Sequence, residues 1–494
     1  MQEKPKKRGS KAFAIFVTIC VLLVLGATAF VAGLWLGFFD TGDSGSIKIP
    51  SMQTLPGATG NGTTAPVPTT TVPPETTMPE PEKIVATATI SSMGDVLMHM
   101  PVVNSGKLSD GSYNFDKSFQ YIKEYVEAAD YAAANLETTL AGTDNGYPYK
   151  GYPHFNCPDE IVDGVKGAGF DMMLTVNNHS YDTTMVGYKR TLEVVREKGM
   201  ATLGTMLNAE EPKYVVQDIN GIKVGMMAYT YATAVTSDGR PSLNGNAAMS
   251  EAGVCNYFTY ENLPAFYKEV QGHLDAMKAE GAEATMIFIH WGVEYQLKEN
   301  AQQAKIAQEL CNLGIDVIVG GHPHVVQPVD LLTSTNDSDH KTVCLYSMGN
   351  AISNQRLGNI SYVKTSHTED GVLFSVTFCK YSDGSVYLLS TDILPTWVHL
   401  DQSGSPNSYL ILPLDEERSE EWDELYDLND TYYQKALNSY ERTMDIVGEG
   451  LTECQTYLEE AGLIRDWEYL AAVNPEAAGE CPVPTTEATV PPTE

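Results

Sequence analysis

The stretch that most constrains the fold is residues 317–324, in which a run of valine and isoleucine ends at two glycines and is followed by His322 and His324. A short apolar run of this kind predicts a buried strand. The glycines let the backbone turn sharply, so both imidazoles are expected at the carboxyl end of the strand. Open α/β sheets bind their ligands at that end.

Four other apolar runs end in polar side chains of the same kinds. A single pair of histidines one residue apart carries little weight, because alternation along any strand places both on one side. Recurrence at five strand ends favours one shared metal centre. The residues that follow the other four runs are Gly94-Asp95, Asn135-Leu136-Glu137, Asn177-Asn178-His179 and His290-Trp291-Gly292.

These strand ends offer carboxylate, amide and imidazole groups. Such a mixed nitrogen and oxygen ligand set suits a divalent transition metal, Mn, Fe or Zn, better than Ca or Mg. We therefore expect a transition-metal cofactor at this edge of the sheet.

The charge balance excludes one class of partner. The chain of 494 residues carries a formal net charge of −33, whereas sequence-independent binding of nucleic acid needs a basic surface. We therefore expect no nucleic-acid partner. The length indicates one large domain with appendages, or two domains.

The N-terminal segment predicts a membrane anchor. Residues 1–11 form a basic tail, and residues 12–39 carry no charge, which exceeds the ~20 apolar residues that cross a bilayer. The basic flank places the N-terminus in the cytoplasm and the following domain outside the cell membrane, as a single-pass protein. The alternative is a signal peptide cleaved near Ala27-Thr28-Ala29. Apolar sequence that continues through residues 35–38 favours an uncleaved anchor.

Two segments have the composition of disordered chain. Residues 40–83 and 479–494 are rich in proline and threonine, and such sequences cannot bury a core. We interpret the first as a stalk between the membrane and the folded domain, and the second as a disordered tail.

Residues 84–400 alternate between strand and helix patterns, with hairpin turns at Asn220-Gly221 and Asp383-Gly384. This alternation predicts an α/β domain with a mixed sheet system and helices outside. Residues 401–478 predict a charged helical extension, either packed on the domain or exposed as a surface for a partner. Helix patterns inside the domain occupy residues 115–126, 185–198, 263–279 and 301–313.

Six motifs stand in order within residues 84–394, and they carry a resemblance to a known family. They are Gly94-Asp95-Val96-Leu97-Met98-His99, Ala134-Asn135-Leu136-Glu137, Asn177-Asn178-His179-Ser180-Tyr181-Asp182, His290-Trp291-Gly292-Val293-Glu294-Tyr295, Gly321-His322-Pro323-His324 and Tyr346-Ser347-Met348-Gly349-Asn350. They resemble the capsule-synthesis CapA type of poly-γ-glutamate biosynthesis protein, whose domain looks like a calcineurin-type metallophosphatase. The resemblance implies two mixed β-sheets sandwiched between helices, an αββα arrangement, with an N-terminal transmembrane helix and a C-terminal helical appendage.

The resemblance also implies roles for individual residues. One or two metal ions are implied at the strand ends, and His179 is implied beside them as the group that contacts the oxyanion of the substrate and acts as general acid. The residues that match the metal-ligand positions are Asp95, Glu137, Asn178, His290, His322 and His324.

This chain departs from the phosphatase pattern at two positions. Leu97 stands where the first phosphatase motif has a histidine, and Glu137 stands where the bridging aspartate is found. The departures indicate that one of two metal sites is altered. His99, four residues after Asp95, and Asn350 in the last motif are additional candidates for the site.

Three functions follow from these patterns. The first is a membrane-anchored, metal-dependent hydrolase or transferase that acts on a phosphoester or on an amide such as a γ-glutamyl bond. The second is a non-catalytic assembly or export component that works with membrane synthase subunits, and the third is a metal-dependent phosphoesterase. Lys150 and His154, in the aromatic loop at residues 147–154, could line a groove for poly-γ-glutamate or another anionic polymer, or the loop is simply exposed.

Overall fold

The computed structural model of the protein describes residues 83–466, apart from residues 145, 360 and 362. The strands are β1 Ile84–Val96, β2 Tyr131–Leu136, β3 Met172–Leu174, β4 Ala201–Leu203, β5 Tyr214–Ile219, β6 Ile222–Tyr231, β7 Ala234–Val235, β8 Pro241–Ser242, β9 Tyr257–Phe258, β10 Ala284–His290, β11 Val317–Gly321, β12 Val329–Thr333, β13 Lys341–Leu345, β14 Asn350–Ile352, β15 Asp370–Tyr381, β16 Val386–Asp401 and β17 Ser408–Pro413. The helices are α1 Met100–Ser105, α2 Asp116–Phe119, α3 Lys123–Val126, α4 Glu160–Gly167, α5 Thr184–Glu197, α6 Leu263–Ala279, α7 Ala301–Asn312, α8 Trp422–Tyr426 and α9 Asp430–Arg465.

Most of these strands belong to two mixed sheets. The first has the order β17-β16-β15-β1-β2-β3-β4, with β14 also paired to β1, and the second has the order β12-β13-β11-β10-β6-β5, with β9 also paired to β6. In the first sheet β1 to β4 are parallel, and β15, β16 and β17 continue from β1 in antiparallel order. In the second sheet β6, β10, β11 and β13 are parallel.

The two sheets pack face to face between layers of helices. Ile90 and Phe374 of the first sheet share one buried apolar cluster with Met286 and Val319 of the second sheet. The outer face of the first sheet is covered by α1 to α5, and that of the second by α6 and α7. The prediction of two mixed sheets sandwiched between helices is therefore confirmed.

Local elements follow the sequence patterns closely. Asn220 and Gly221 join β5 to β6 with φ values of 52° and 86°, the left-handed pair that a tight hairpin needs. The helices α5, α6 and α7 lie within two residues of the predicted bounds. The predicted helix over residues 115–126 is wrong in one respect, because it is split into α2 and α3 by the turn at residues 120–122.

The predicted boundary after residue 400 is wrong. It falls inside β16, and β17 beyond it pairs with β16 in the first sheet. The helix α9 is also more than an appendage, because Val447, Leu451 and Cys454 are buried in the cluster between the sheets. Their spacing of four and three residues keeps them on one helical face, while the acidic residues that dominate the composition point outward.

Two contacts fix α9 to the sheets. Arg442 donates from Nε and Nη2 to the carboxylate of Asp370 at 2.9 and 2.7 Å, and the Ser439 hydroxyl donates to the same carboxylate at 2.6 Å. At Gly450, a Cβ atom would lie 1.7 Å from the carbonyl oxygen of Val329 in β12. Only glycine therefore allows the helix to approach the second sheet this closely.

No helix within the described residues is long and apolar enough to cross a membrane. The predicted basic tail, anchor and C-terminal tail lie outside the described residues, as does the stalk apart from its last residue. These segments remain predictions.

The packing of α9 can be tested with two glycines on the same helix. We expect Gly450→Ala to lower the free energy of unfolding by more than about 2 kcal/mol, because the new methyl group overlaps the backbone of β12. In the control Gly448→Ala, the nearest atom to the new Cβ is 3.8 Å away, so the higher helix propensity of alanine should raise stability by about 0.5–1 kcal/mol. Urea denaturation of both variants measures the difference, and equal effects would contradict the close approach.

Candidate metal centre

The carboxyl ends of parallel strands from both sheets meet at one buried site. Asp95 lies at the end of β1, and Glu137 directly follows β2. His290 ends β10, and His322 and His324 follow β11. Asn178, in the segment after β3, is also part of the site, and all six side chains are buried.

The donor atoms form two sets that share Glu137. One oxygen of Glu137 and one nitrogen each of His290 and His322 lie within 4.8 Å of one another, and the same holds for Asp95, Glu137 and His324. The structure thus brings together five of the six predicted ligands in these sets. Asn178 joins them through its Oδ1, which lies 2.9 Å from Nε2 of His290.

Glu137 shows most directly that the site suits a cation. Both of its carboxylate oxygens are buried and have no hydrogen-bond partner within the described residues. Burial, followed by the negative charges of Asp95 and Glu294, raises the pKa of Glu137 well above its ordinary value. A buried carboxylate without a donor is costly, and a cation between Glu137 and the imidazoles would remove that cost.

The histidines are held in forms that can bind a metal. Nδ1 of His322 is buried without a partner in the described structure, and burial, followed by the neighbouring His290 and His324, lowers the pKa of His322 well below its ordinary value. Burial likewise lowers the pKa of His290 to about 3. Both rings are therefore neutral at pH 7 and keep a lone pair for coordination.

His324 is oriented by a chain of hydrogen bonds. Its Nδ1 lies 3.0 Å from Oδ2 of Asp95 and 3.2 Å from Oδ1 of Asn350. The amide nitrogen of Asn350 lies within hydrogen-bond distance of three acceptors, the carbonyls of His324 and Thr368 and the side chain of Gln355. Because the amide is fixed in this way, Nδ1 of His324 carries the proton and Nε2, 3.9 Å from Glu137, is the nitrogen free for a metal.

The backbone keeps space at the centre of the site. A Cβ atom at Gly321 would lie 3.3 Å from Oδ1 of Asp95 and 3.6 Å from Nδ1 of His290, so glycine leaves room where a side chain would crowd both groups. His322 and His324 have φ values of 96° and 56°, a left-handed conformation that costs about 1–3 kcal/mol per residue and is typical of functional sites.

His179 lies beside the ligand sets and is held by a residue that the sequence analysis did not single out. Its Nδ1 is 2.7 Å from Oδ2 of Asp182, whose side chain is fully buried. Asp182 also accepts from the backbone N–H of Phe155 at 2.7 Å. The carboxylate binds the Nδ1 proton and leaves Nε2 of His179 for a ligand. The signal for Asp182 was present, since it ends the motif that contains Asn178 and His179.

The additional candidates fall into two groups. His99 is buried beside the site, where burial lowers its pKa to about 3 and its Nδ1 accepts from the backbone N–H of Asn354 at 3.4 Å. Asn350 belongs to the site through His324. His154 pairs with Asn246 at 3.1 Å in a loop next to Phe155, and Lys150 is exposed, so neither joins the buried ligand sets.

Leu97 confirms that the first motif departs from the phosphatase pattern. Its side chain is buried and apolar, and its backbone N–H donates to the carbonyl of Ile352 at 2.9 Å. The described residues offer Asp95 as the one candidate ligand from β1, with the unpartnered Nε2 of His99 the nearest substitute in the same motif.

Comparison with known proteins gives concordant matches. The family described as Bacterial capsule synthesis protein PGA_cap matches residues 89–355. The capsule biosynthesis protein CapA of Bacillus anthracis is 26% identical over 321 residues, which are 64% of this chain and 68% of that protein. The PGA biosynthesis protein CapA of Bacillus subtilis (strain 168) is 26% identical over 242 residues, 49% of this chain and 57% of that protein.

One solved structure is similar over much of the chain at low identity. The sulfate thiohydrolase SoxB of Thermus thermophilus, in complex with glycerol, covers 72% of this chain and 60% of its own, with 12% identity and a TM-score of 0.36.

Metal loading tests the ligand sets. After reconstitution with Mn, Fe or Zn, we expect the wild-type chain to retain one or two equivalents by elemental analysis and the variant His322→Ala with His324→Ala to retain less than a tenth of that amount. The control His340→Ala removes a histidine that contacts the carbonyl of Ile315 and should load like the wild type. Equal loading of the double variant would contradict the assignment.

Glu137→Gln separates a binding role from a structural one. We expect this variant to lose the metal. In chelator-treated protein it should gain about 1 kcal/mol or more in the free energy of unfolding at pH 7, because a neutral amide replaces a buried carboxylate that lacks a partner. Chemical denaturation with and without chelator measures both effects. A variant that keeps its metal and unfolds more easily would show that Glu137 is a structural residue.

Proposed function

Because this chain belongs to the family of bacterial capsule synthesis proteins PGA_cap, we propose that it is a metal-dependent hydrolase or transferase of capsule-polymer synthesis. The reaction would break or transfer an ester or amide bond, with a γ-glutamyl amide as one substrate class. The observation that carries this proposal is the arrangement of two buried ligand sets around Glu137 with the His179–Asp182 pair beside them.

The ligand sets would hold the cofactor. Glu137, His290 and His322 could hold one ion, with Asn178 facing the same space, and Asp95, Glu137 and His324 could hold a second. We propose Mn, Fe or Zn, because imidazole and carboxylate ligands together suit these metals. When bound, such an ion supplies Lewis acidity, which favours attack by a nucleophile at neutral pH.

His179 would move the proton of the reaction. Asp182 holds the Nδ1 side of its ring at 2.7 Å, so Nε2 is the atom that can give a proton to a leaving group or accept one. The edge of Phe155, whose ring centroid is 4.7 Å from that of His179, limits rotation of the imidazole. Asn244 approaches the same ring, with its amide nitrogen 3.4 Å from Nδ1.

The setting of this reaction is also a proposal. We propose that residues 12–39 anchor the chain in the cell membrane and that the domain works outside it, at the end of the stalk. Poly-γ-glutamate or another anionic polymer and membrane synthase subunits are the proposed partners. Lys150 and His154 support a polymer contact near the centre, since the loop that carries them leads directly into Phe155 beside His179.

A metallophosphatase-like phosphoesterase is the second enzymatic candidate. Glu137, shared by two ligand sets, favours it, because a shared carboxylate allows two ions to act on one phosphoryl group. The substitution of Leu97 for a ligand disfavours it. Parallel assays with a chromogenic phosphodiester and a γ-glutamyl anilide distinguish the two bond types.

Asp182→Asn tests the catalytic proposal. We expect at least about a hundredfold loss of kcat, because an amide cannot hold the protonated ring of His179 in the same way, while the bound metal stays at the wild-type amount. Asp445→Asn, on the exposed face of α9, is the control and should leave kcat unchanged.

The outcomes of this assay also separate the enzyme from an assembly component. A wild-type chain that is fully loaded with metal and turns over neither substrate would contradict catalysis and favour the non-catalytic assembly or export role. Equal turnover by Asp182→Asn and wild type would remove His179 from the proposed reaction.

A further inference from the structure

A second polar cavity lies away from the ligand sets, between α9, β16 and residues 356–359 and 366–369. Its volume is about 330 Å³, which is within the range of small-molecule sites. Trp397 and Tyr432 contribute aromatic walls, and Arg356, Lys435 and Arg442 contribute positive charge. None of these residues takes part in the candidate metal centre.

The negative groups of this cavity already have partners. Glu369 accepts from Nη2 of Arg356 at 2.5 Å and from the backbone N–H of Leu357 at 3.3 Å. Asp370, behind the cavity, is bound by Arg442 through two hydrogen bonds and by Ser439. A cationic ligand would therefore have to compete with arginine for either carboxylate.

Several hydrogen-bond donors on α9, in contrast, have no acceptor within the described residues. Lys435 makes no ion pair within the described residues, and its Nζ lies over the ring of Tyr432 at 5.1 Å. Arg442 donates from Nε and Nη2 to Asp370, so its Nη1 is available to donate to a ligand. Asn438 accepts at Oδ1 from Gln434, so its amide N–H groups are available to donate to a ligand. Spacings of three and four residues place Lys435, Asn438 and Arg442 on one face of α9.

The balance of charge at the cavity is positive in a strongly acidic chain. Three cations, Arg356, Lys435 and Arg442, stand against the two carboxylates of Glu369 and Asp370. Burial lowers the pKa of the neighbouring His399 to about 4. The charge of Arg356 acts in the same direction, that of Asp401 opposes it, and those of Lys435 and Lys117 lower the pKa further.

We propose that this cavity binds a carboxylate carried on a short aliphatic chain, such as a glutamyl side chain. The single excess positive charge matches one carboxylate, which would accept from Lys435, Asn438 and Arg442. A doubly charged phosphate would leave one negative charge without a counterpart. The apolar part of the ligand would pack on Tyr432 and Leu400, which are both partly exposed. Binding at this cavity would not require the metal centre, because the two sites share no residue.

Ligand-observed NMR titration of the full chain tests the proposal. Treatment with a chelator first removes metal, so that the probe cannot bind there. We expect 4-acetamidobutyrate to bind at least about tenfold more tightly than its neutral isostere 4-acetamidobutyramide, since hydrogen bonds to a charged group are stronger than those to a neutral one. Lys435→Gln should weaken binding of the carboxylate about tenfold, and Asn438→Asp should abolish it. Lys305→Gln, an exposed lysine on α7, should bind like the wild type.

Each remaining outcome overturns the proposal. Equal affinity for the acid and the amide would show that the charge is not recognised. Wild-type affinity in Lys435→Gln or Asn438→Asp would place the ligand elsewhere. Tighter binding of inorganic phosphate than of the carboxylate would identify a phosphate site. Thermal unfolding of every variant confirms that a loss of binding does not come from a loss of fold.

Discussion

The buried carboxylate of Glu137 is the constraint on which the arrangement of the centre depends. Both of its oxygens lack a hydrogen-bond donor within the described residues. Burial therefore removes the carboxylate from water, and no hydrogen bond within the protein compensates for that loss. Three imidazoles and a second carboxylate surround it, and none donates to it. The strand ends therefore surround a buried carboxylate that a bound cation would stabilise, an arrangement typical of a binding site and not of a folding core.

The two-sheet architecture is what allows such a centre to be buried. Asp95 and Glu137 come from the first sheet, and His290, His322 and His324 come from the second. Packing the sheets face to face brings ligands that are up to 229 positions apart in the chain into contact, as between Asp95 and His324. Gly321, the last residue of β11, completes this arrangement by keeping side-chain volume out of the space that Asp95 and His290 face.

Much of the fold and the centre could be predicted from local sequence. Apolar periodicity located α5, α6 and α7, and Asn220-Gly221 specified its hairpin. The polar ends of five apolar runs predicted which side chains meet at the candidate metal centre, because strand ends of parallel sheets share an edge. Asp182 was missed because an aspartate three residues after a histidine is also an ordinary turn residue. The role of α9 was missed because exposed acidic residues dominate its composition. The sequence of the helix also does not show which strands its apolar face contacts, because those strands are far away in the chain. The second polar cavity could not be predicted, because its lining residues come from three distant segments.

The position of α9 has a consequence for how the protein reaches its native state. The helix is the last described element of the chain, yet Val447 and Leu451 fill the core between the sheets. Strand β1, at the other end, finds its antiparallel partner only in β15. A ribosome makes the amino end first, so the part of the apolar cluster that α9 covers stays exposed until that helix emerges. Such non-local closure is slow, and it makes the nascent chain dependent on protection from aggregation until synthesis is complete.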